Sequence, residues 1–274
     1  QDLPAFAFLE KSKSANRGMR LVHFLESRWR LAAGCLLCLI ACVWVFTAYG
    51  IPLLAKHVAY TIPTEISEKV SRKTLQMLDQ NFFKPSELDS ARVAELQETF
   101  HNLGREAESD FNYRLLFRRS PRIGPNAFAL PSGQIVMTDE LVTLAENDEE
   151  LVGILVHEMA HVDQRHGMRM LFQNAGAFLL ISALVGDVAS ITSMAATLPT
   201  LLVKSGYSRK FEREADQAAG AYFIRKGRDT KSYRDILLRL SENRPENPAM
   251  SMISSHPETE KRIKYLQELE KALR

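Results

Sequence analysis

His157 and His161 stand four residues apart in His157-Glu158-Met159-Ala160-His161, so on a helix their imidazoles lie one turn apart and face the same way. Two neutral ring nitrogens at that spacing can share one zinc ion, and the carboxylate of Glu158 beside them can take a proton from water. Three specified residues arise by accident in roughly one chain in a hundred of average composition, so the surroundings must decide. Asp148, Glu149 and Glu150 supply an acidic first turn for a helix expected from Asp148 to Gly167, with Gly167 as its stop. Leu151, Ile154, Leu155, Val156, Met159 and Val162 give that helix a surface to bury. The pair of histidines therefore sits on the kind of element its chemistry needs, and the chemistry is that of a zinc-dependent peptidase.

Zinc with an open position for water needs a third protein ligand from elsewhere in the chain. The extended pattern HExxHxxGxxH is excluded because positions 164 and 167 hold Gln164 and Gly167. His166 lies five residues past His161, about 140° off the ligand face of a continuous helix, and reads as a packing or helix-end residue. Glu212 is the better candidate. In the run Ser208 to Asp216 it shares a helical face with Asp216, whereas Glu214 points roughly opposite. One carboxylate can bind the metal while the other accepts a hydrogen bond from the second nitrogen of a ligand imidazole, fixing its tautomer.

Four blocks in order give the chain a family resemblance over roughly residues 126–266. They are Asn126-Ala127-Phe128-Ala129-Leu130-Pro131-Ser132-Gly133, the HExxH block, Glu212 to Asp216, and His256-Pro257 followed by Arg262-Ile263. In this order they resemble the HtpX-like and CAAX-prenyl-protease-like family of membrane-linked zinc peptidases, a gluzincin group, with Ser132 where Gly is more usual. The resemblance implies a zincin-like metallopeptidase domain in which His157, His161 and Glu212 bind one zinc ion. It makes Glu158 the general base and then acid of peptide hydrolysis, and Asp216 the support of a ligand. It implies that His256 can approach the metal as a regulatory or fourth ligand. The oxyanion donor stays open among Tyr207, Arg209 and His256.

Asn126 to Leu130 and Gln134 to Thr138 read as short strands about the turn Pro131-Ser132-Gly133. An edge strand there, with Asn126, Ala127 and Phe128 as substrate-binding residues, would pair with an extended peptide through backbone hydrogen bonds and favour unfolded segments.

The chain has 274 residues, 46% hydrophobic and 25% charged, enough for one main domain with appendages. A net charge of +2 with interspersed signs leaves no basic stripe, so no nucleic-acid partner is expected. Leu31 to Leu54 carries no charged residue and exceeds the roughly 20 residues a bilayer core requires. Trp29, Tyr49 and Tyr60 lie near its ends, as interface-seeking rings do. We read it as a single transmembrane anchor in contact with lipid. Lys11, Lys13, Arg17, Arg20, Arg28 and Arg30 precede the run, and Lys56, Lys69, Arg72 and Lys73 follow it. That bias favours an inside N-terminus and a catalytic domain outside the cytoplasm, the periplasm in a bacterium. Cys35, Cys38 and Cys42 all fall in the anchor, so no disulfide framework is expected. The sequence opens on Gln1, and residues 1–30 read as a cytoplasmic segment that continues a missing one.

The elements that must hold the site follow from periodicity. Helices are expected at Pro63 to Leu78, from Pro85-Ser86 to near Gly104, at Ser208 to Arg225, at Tyr233 to Leu240 and at Glu258 to Leu273. Tyr113 to Phe117 alternates as a strand. Ala175 to Val203 is apolar, but Asp187 divides it into pieces shorter than the roughly 20 residues of a span, so it reads as a helical hairpin over the cleft or dipping toward lipid. Asn243 to His256 reads as a loop returning His256 to the site. The expected class is α+β, mostly α, with a small antiparallel sheet and one preceding transmembrane helix. Its segments are 1–30 cytoplasmic, 31–54 anchor, 55–110 helical linker and 111–274 metallopeptidase. The expected function is cleavage of misfolded or unassembled envelope proteins. The alternative is a chaperone or assembly factor with latent protease activity, which would not need Glu158. Intramembrane prenyl-protein processing would want several spans, and one convincing run argues against it.

Overall fold

Charge-free residues dominate the first helical stretch of the computed structural model, which describes residues 28–107, 109–185, 206–243, 256 and 259–273. Helix α1 (Trp29–Val45) runs through one wider turn at Phe46–Gly50 into α2 (Ile51–Thr61). From Ala32 to Thr61 this makes 30 residues, long and apolar enough by length and composition to cross a membrane. Trp44, Leu37 and Leu53 lie exposed along it, and its three cysteines are free. Residues 1–52 and 53–274 form separate units.

Within the second unit, α3 (Thr64–Asn81) is followed by β1 (Lys84–Pro85) and α4 (Ser90–Glu106). The expected helix start at Pro85-Ser86 is corrected: Pro85 ends a short edge strand, and α4 begins where Asp89 accepts a bond from the Ala91 amide at 2.8 Å. A four-stranded sheet then forms from β1, β2 (Arg114–Arg119), β4 (Gln134–Thr138) and β3 (Ala127–Ala129), in that spatial order. β3 and β4 make the expected antiparallel hairpin, with Gly133 at φ 93 closing the turn. β2 pairs β4 in parallel, Leu115 opposite Ile135. The sheet is therefore mixed instead of wholly antiparallel, because the β2 to β4 pairing is set by the burial of Leu115, Phe117, Ile135 and Met137 in one core, which no local turn encodes.

Thr138 caps the short α5 (Asp139–Leu144), and Asn147 caps α6 (Asp148–Asp163) by accepting from the Glu150 amide at 3.2 Å. α6 is the central helix: it packs on α8 (Arg209–Arg225), α9 (Lys231–Glu242), β3 and α4. Its end differs from expectation. The helix stops at Asp163, Arg165 takes a left-handed φ of 51, and α7 (His166–Val185) begins at once, so Gly167 lies inside a helix. The Arg165 guanidinium stabilises this break by donating to the Ala59 carbonyl at 2.9 Å and lying over the rings of Tyr60 and Phe111.

α7 occupies the first part of the apolar stretch expected to form a hairpin; residues 186–205, where its break was expected, lie outside the described residues. So do most of Asn243 to His256 and all of the expected cytoplasmic segment except its last three residues. α8 starts on Ser208, whose hydroxyl accepts from the Phe211 amide at 3.3 Å, and α10 (Thr259–Leu273) packs against it. Leu151, Ile154, Leu155, Phe223, Tyr233, Ile236 and Leu266 join the sheet's inner face in the main core. A helix so surrounded presents its second face, carrying His157, Glu158 and His161, to α8 and not to water.

Candidate metal centre

α6 supplies His157 and His161 one turn apart, and both rings are fully buried. Their Nε2 atoms are 3.1 Å from each other. α8 crosses beside them and brings the Glu212 carboxylate to 3.4 Å from His161 Nε2 and 3.6 Å from His157 Nε2. His256 completes the cluster: its Nδ1 lies 3.2 Å from His157 Nε2 and 3.0 Å from Glu212 Oε1. One ligand atom from each of the four residues lies within 4.8 Å of every other. Among the described residues, structure and sequence therefore agree on His157, His161, Glu212 and His256 as neighbours.

The donor set fits a zinc ion. A tetrahedral ion with Zn–N near 2.0–2.1 Å spaces its ligand atoms about 3.3 Å apart, and the three separations among His157, His161 and Glu212 scatter around that. The outer ring nitrogens have polar partners as well. His157 Nδ1 lies 2.9 Å from the Tyr233 hydroxyl and 3.1 Å from Asp216 Oδ1, and His161 Nδ1 lies 2.9 Å from His166 Nδ1. With the protons held on those nitrogens, both Nε2 lone pairs face each other, an arrangement that only a cation between them makes favourable.

Asp216 is clamped from three sides. Arg262 on α10 donates to it through Nε at 2.9 Å and Nη2 at 2.8 Å, and the Tyr233 hydroxyl donates to Oδ1 at 2.8 Å. Arg262 Nη1 also reaches Glu212 Oε2 at 3.3 Å. Burial alone would raise both carboxyls, but Arg262 and, for Glu212, His256 outweigh it and hold them below the usual carboxylate range. Burial, helped by Arg262, takes His157 down to about 4, and burial takes His161 down to about 4. Both rings are therefore neutral at pH 7, the state a metal requires.

Glu158 is buried, and neither of its oxygens makes a hydrogen bond of full geometry among the described residues. His256 Nε2 stands 3.4 Å away and the Ala129 backbone amide faces it. Burial raises its proton affinity, with Glu212 adding to the effect. A carboxylate so loosely paired in a dry site is costly and poised to hold a proton. Tyr207 stacks on His161 with ring centroids 3.9 Å apart; burial, then Glu158 and Glu212, raise its phenol, which stays a donor. Arg209, the other non-histidine candidate for an oxyanion donor, is exposed.

The sheet edge is resolved more finely than the sequence allows. Asn126 accepts from the Thr138 amide and Leu130 donates to the Gln134 carbonyl, so alternate residues 126, 128 and 130 direct their backbone groups to β4. Ala127 and Ala129 face outward, and of the two only Ala129 is accessible, Ala127 being buried. Of the expected substrate residues, Asn126 and Phe128 thus spend their backbone bonds inside the sheet, and Ala129 holds the outward position that the side-chain pattern gave no means to find. Tyr233 and Arg262 were also missed as site residues. Tyr233 reads as the start of an amphipathic helix and Arg262 as one charge on a charged helix; only the His256-Pro257 to Arg262-Ile263 block hinted at the second.

Comparison with known proteins agrees with this geometry. The profile described as Peptidase family M48 matches residues 90–270, about two thirds of the chain. The chain is 27% identical over 166 residues to the mitochondrial metalloendopeptidase OMA1 of Schizosaccharomyces pombe, covering 58% of this chain and 47% of that protein. It is 30% identical over 149 residues to a putative beta-barrel assembly-enhancing protease of Vibrio cholerae, covering 50% of this chain and 31% of that one. The Escherichia coli beta-barrel assembly-enhancing protease is 28% identical over 149 residues, with the same shares of 50% and 31%. The chain thus spans about half or less of the length of these curated relatives.

Proposed function

We propose that this chain, which belongs to peptidase family M48, is a membrane-anchored zinc endopeptidase that cleaves extended segments of misfolded or unassembled envelope proteins. One observation carries this reading: the imidazoles of His157 and His161 and the carboxylate of Glu212 converge beside the buried carboxylate of Glu158. In it, one zinc ion per chain is held by His157, His161 and Glu212. Zinc, when bound, supplies a Lewis acid for the scissile carbonyl and lowers the pKa of water toward about 7.

The chain's own groups do the rest. Glu158 takes the proton of the attacking water and returns it to the leaving amine, a role its raised proton affinity suits. Asp216 and Tyr233 fix the ring of His157, and Arg262 offsets the charge of the two carboxylates. The outward carbonyl of Ala129 pairs with the substrate backbone, a recognition by hydrogen bonds that selects extended chain over folded structure. The beta-barrel assembly-enhancing name of several relatives is in keeping with envelope clients. The excess of Lys and Arg before the apolar helix supports a catalytic unit outside the cytoplasm.

His256 sits where a substrate carbonyl must enter, between Glu158 and Glu212. We read it as a latch. Replacing it, His256→Ala, is expected to keep zinc and raise basal proteolysis; a fall in rate with zinc retained would make it an oxyanion donor instead. The decisive experiment is Glu158→Gln in the full chain. Hydrolysis of an unfolded protein should drop by about 10²- to 10⁴-fold while metal content is unchanged. If clients are still degraded with zinc bound, the hydrolytic reading fails; if they are bound and not cut while function persists, the holding reading replaces it.

A further inference from the structure

We infer that His166 and Glu214 are positioning residues that fix the tautomer and ring orientation of His161 through a relay running Glu214 to His166 to His161. The inference rests on the metal-centre reading above and adds to it two residues outside the proposed ligand set, His166 beside His161 and Glu214 between Glu212 and Asp216.

Proton accounting leads to it. His161 Nδ1 and His166 Nδ1 are 2.9 Å apart, and two ring nitrogens at that distance need one proton between them: one donates and the other accepts. His161 must keep the lone pair of Nε2 for the cradle, so its proton sits on Nδ1 and is donated to His166. A neutral His166 that accepts at Nδ1 carries its own proton on Nε2. That nitrogen lies 2.8 Å from Glu214 Oε2, a carboxylate oxygen that accepts it. The reverse assignment puts a proton on His161 Nε2, pointing into the cradle, and requires either a bare His166 Nε2 facing the Glu214 carboxylate or a second proton on the buried His166 ring. With both rings neutral, one pattern satisfies every member, and it is the pattern a metal ligand requires.

The surrounding packing holds the relay still. The His166 ring is fully buried and stacks on Phe211 with centroids 4.2 Å apart and planes 11° from parallel. Arg169 lies over the same Phe211 ring and donates to Glu214 Oε2 at 3.3 Å, tethering the carboxylate. Backbone geometry makes it possible. In an unbroken helix His166 would sit about 140° from the ligand face; the left-handed Arg165 ends α6 and restarts the chain so that His166 faces the far side of the His161 ring. α8 then serves both sides, with Glu212 inside the cradle and Glu214 at the end of the relay. The two ligand histidines are thus supported differently, His157 by a carboxylate directly and His161 by a carboxylate acting through a second imidazole.

The test compares His166→Phe, which keeps the stacked ring and removes the acceptor, with His166→Asn, whose side-chain oxygen restores an acceptor near the position of Nδ1. Zinc affinity is measured on the full chain by competition with a chromophoric chelator, with circular dichroism of the zinc-free protein as the fold control and the visible band of the cobalt-loaded protein as the ligand-field readout. We expect His166→Phe to weaken zinc about 10- to 100-fold and to shift the cobalt band. His166→Asn should recover most of both. A purely packing role predicts the opposite order, Phe tolerated and Asn not, and that order overturns the relay, as does equal affinity in all three. Glu214→Leu, at a position 30% exposed and so tolerant of change, gives an independent arm and should weaken zinc where Glu214→Gln does not. Unchanged affinity in Glu214→Leu removes Glu214 from the relay. If the unmutated chain takes up no zinc, the metal-centre reading itself falls, an outcome separate from a zinc-binding parent with indifferent variants.

Discussion

Arg262 faces two buried carboxylates, Asp216 and Glu212, and a buried charge is tolerable only while it is paired. Arg262→Met strips Asp216 of its guanidinium and leaves Glu212 with His256 alone, and is expected to cost about 3–5 kcal/mol of stability, read from urea denaturation of the zinc-free protein. A loss within the range of a surface substitution would mean that the acids find protons or water instead. The same site sets a pH dependence. His157 and His161 are held from 6.5 down to about 4 in the folded chain, and His166, also buried, is lowered further. Between those values the unfolded chain binds protons that the folded rings refuse, so stability is intact above 6.5 and declines as the pH falls toward 4. Asp216 and Glu212, held below the carboxylate range, extend that decline to lower pH. Glu158 is raised and opposes it, while the raised His256 acts only above its ordinary 6.5. Three rings outweigh one carboxyl, and the urea midpoint of the zinc-free protein should drop on acidification from 6.5 to 4; a rise over that interval would contradict the burial assigned to these rings.

At the scale of elements, the cradle depends on how closely α6 approaches its neighbours. A Cβ on Gly153 would lie 2.6 Å from Cδ2 and 2.8 Å from Cβ of Tyr233, near the rigid root of that side chain. Gly153→Ala therefore pushes α9 away and takes the Tyr233 hydroxyl from His157 and Asp216. We expect a cost of about 1–3 kcal/mol, together with weaker zinc binding. Gly220 on α8 makes the control: its Cβ would meet the Cδ2 of Leu269 at 2.7 Å, the far end of a flexible side chain. There the gain in helix propensity of about 0.5–1 kcal/mol offsets a small repacking, so Gly220→Ala should leave the melting temperature and zinc affinity nearly unchanged. Equal effects at both glycines would show that helix spacing does not control the site.

Among the described residues, the molecule comprises an apolar helix and a folded unit with its own core and the four residues of the candidate metal centre. Among the described residues, that core is drawn from residues beyond 52. A chain beginning at Leu53 should stay folded, bind zinc as the full chain does, and leave the membrane fraction on sedimentation. Retention in the membrane would assign a second lipid contact to the folded unit, for which Leu179 and Ile181, exposed on α7, are the first residues to replace.

The sequence alone determined which side chains could share a cation, because a helix makes the spacing of His157, His161 and, on a second helix, Glu212 and Asp216 a local property of 3.6 residues per turn. It also determined the apolar helix and most element positions, which follow from runs and periods within a few residues of each other. Tertiary structure alone decided the rest. Whether Arg262 is a solvated charge or a buried clamp depends on which face of α10 meets α8, and whether Ala129 or Phe128 turns outward depends on the register of β3 on β4. The role of His166 depends on a single left-handed residue at the end of α6. Each of these is a contact between segments distant in the chain, set by packing and desolvation over the whole core, and no local periodicity carries that information.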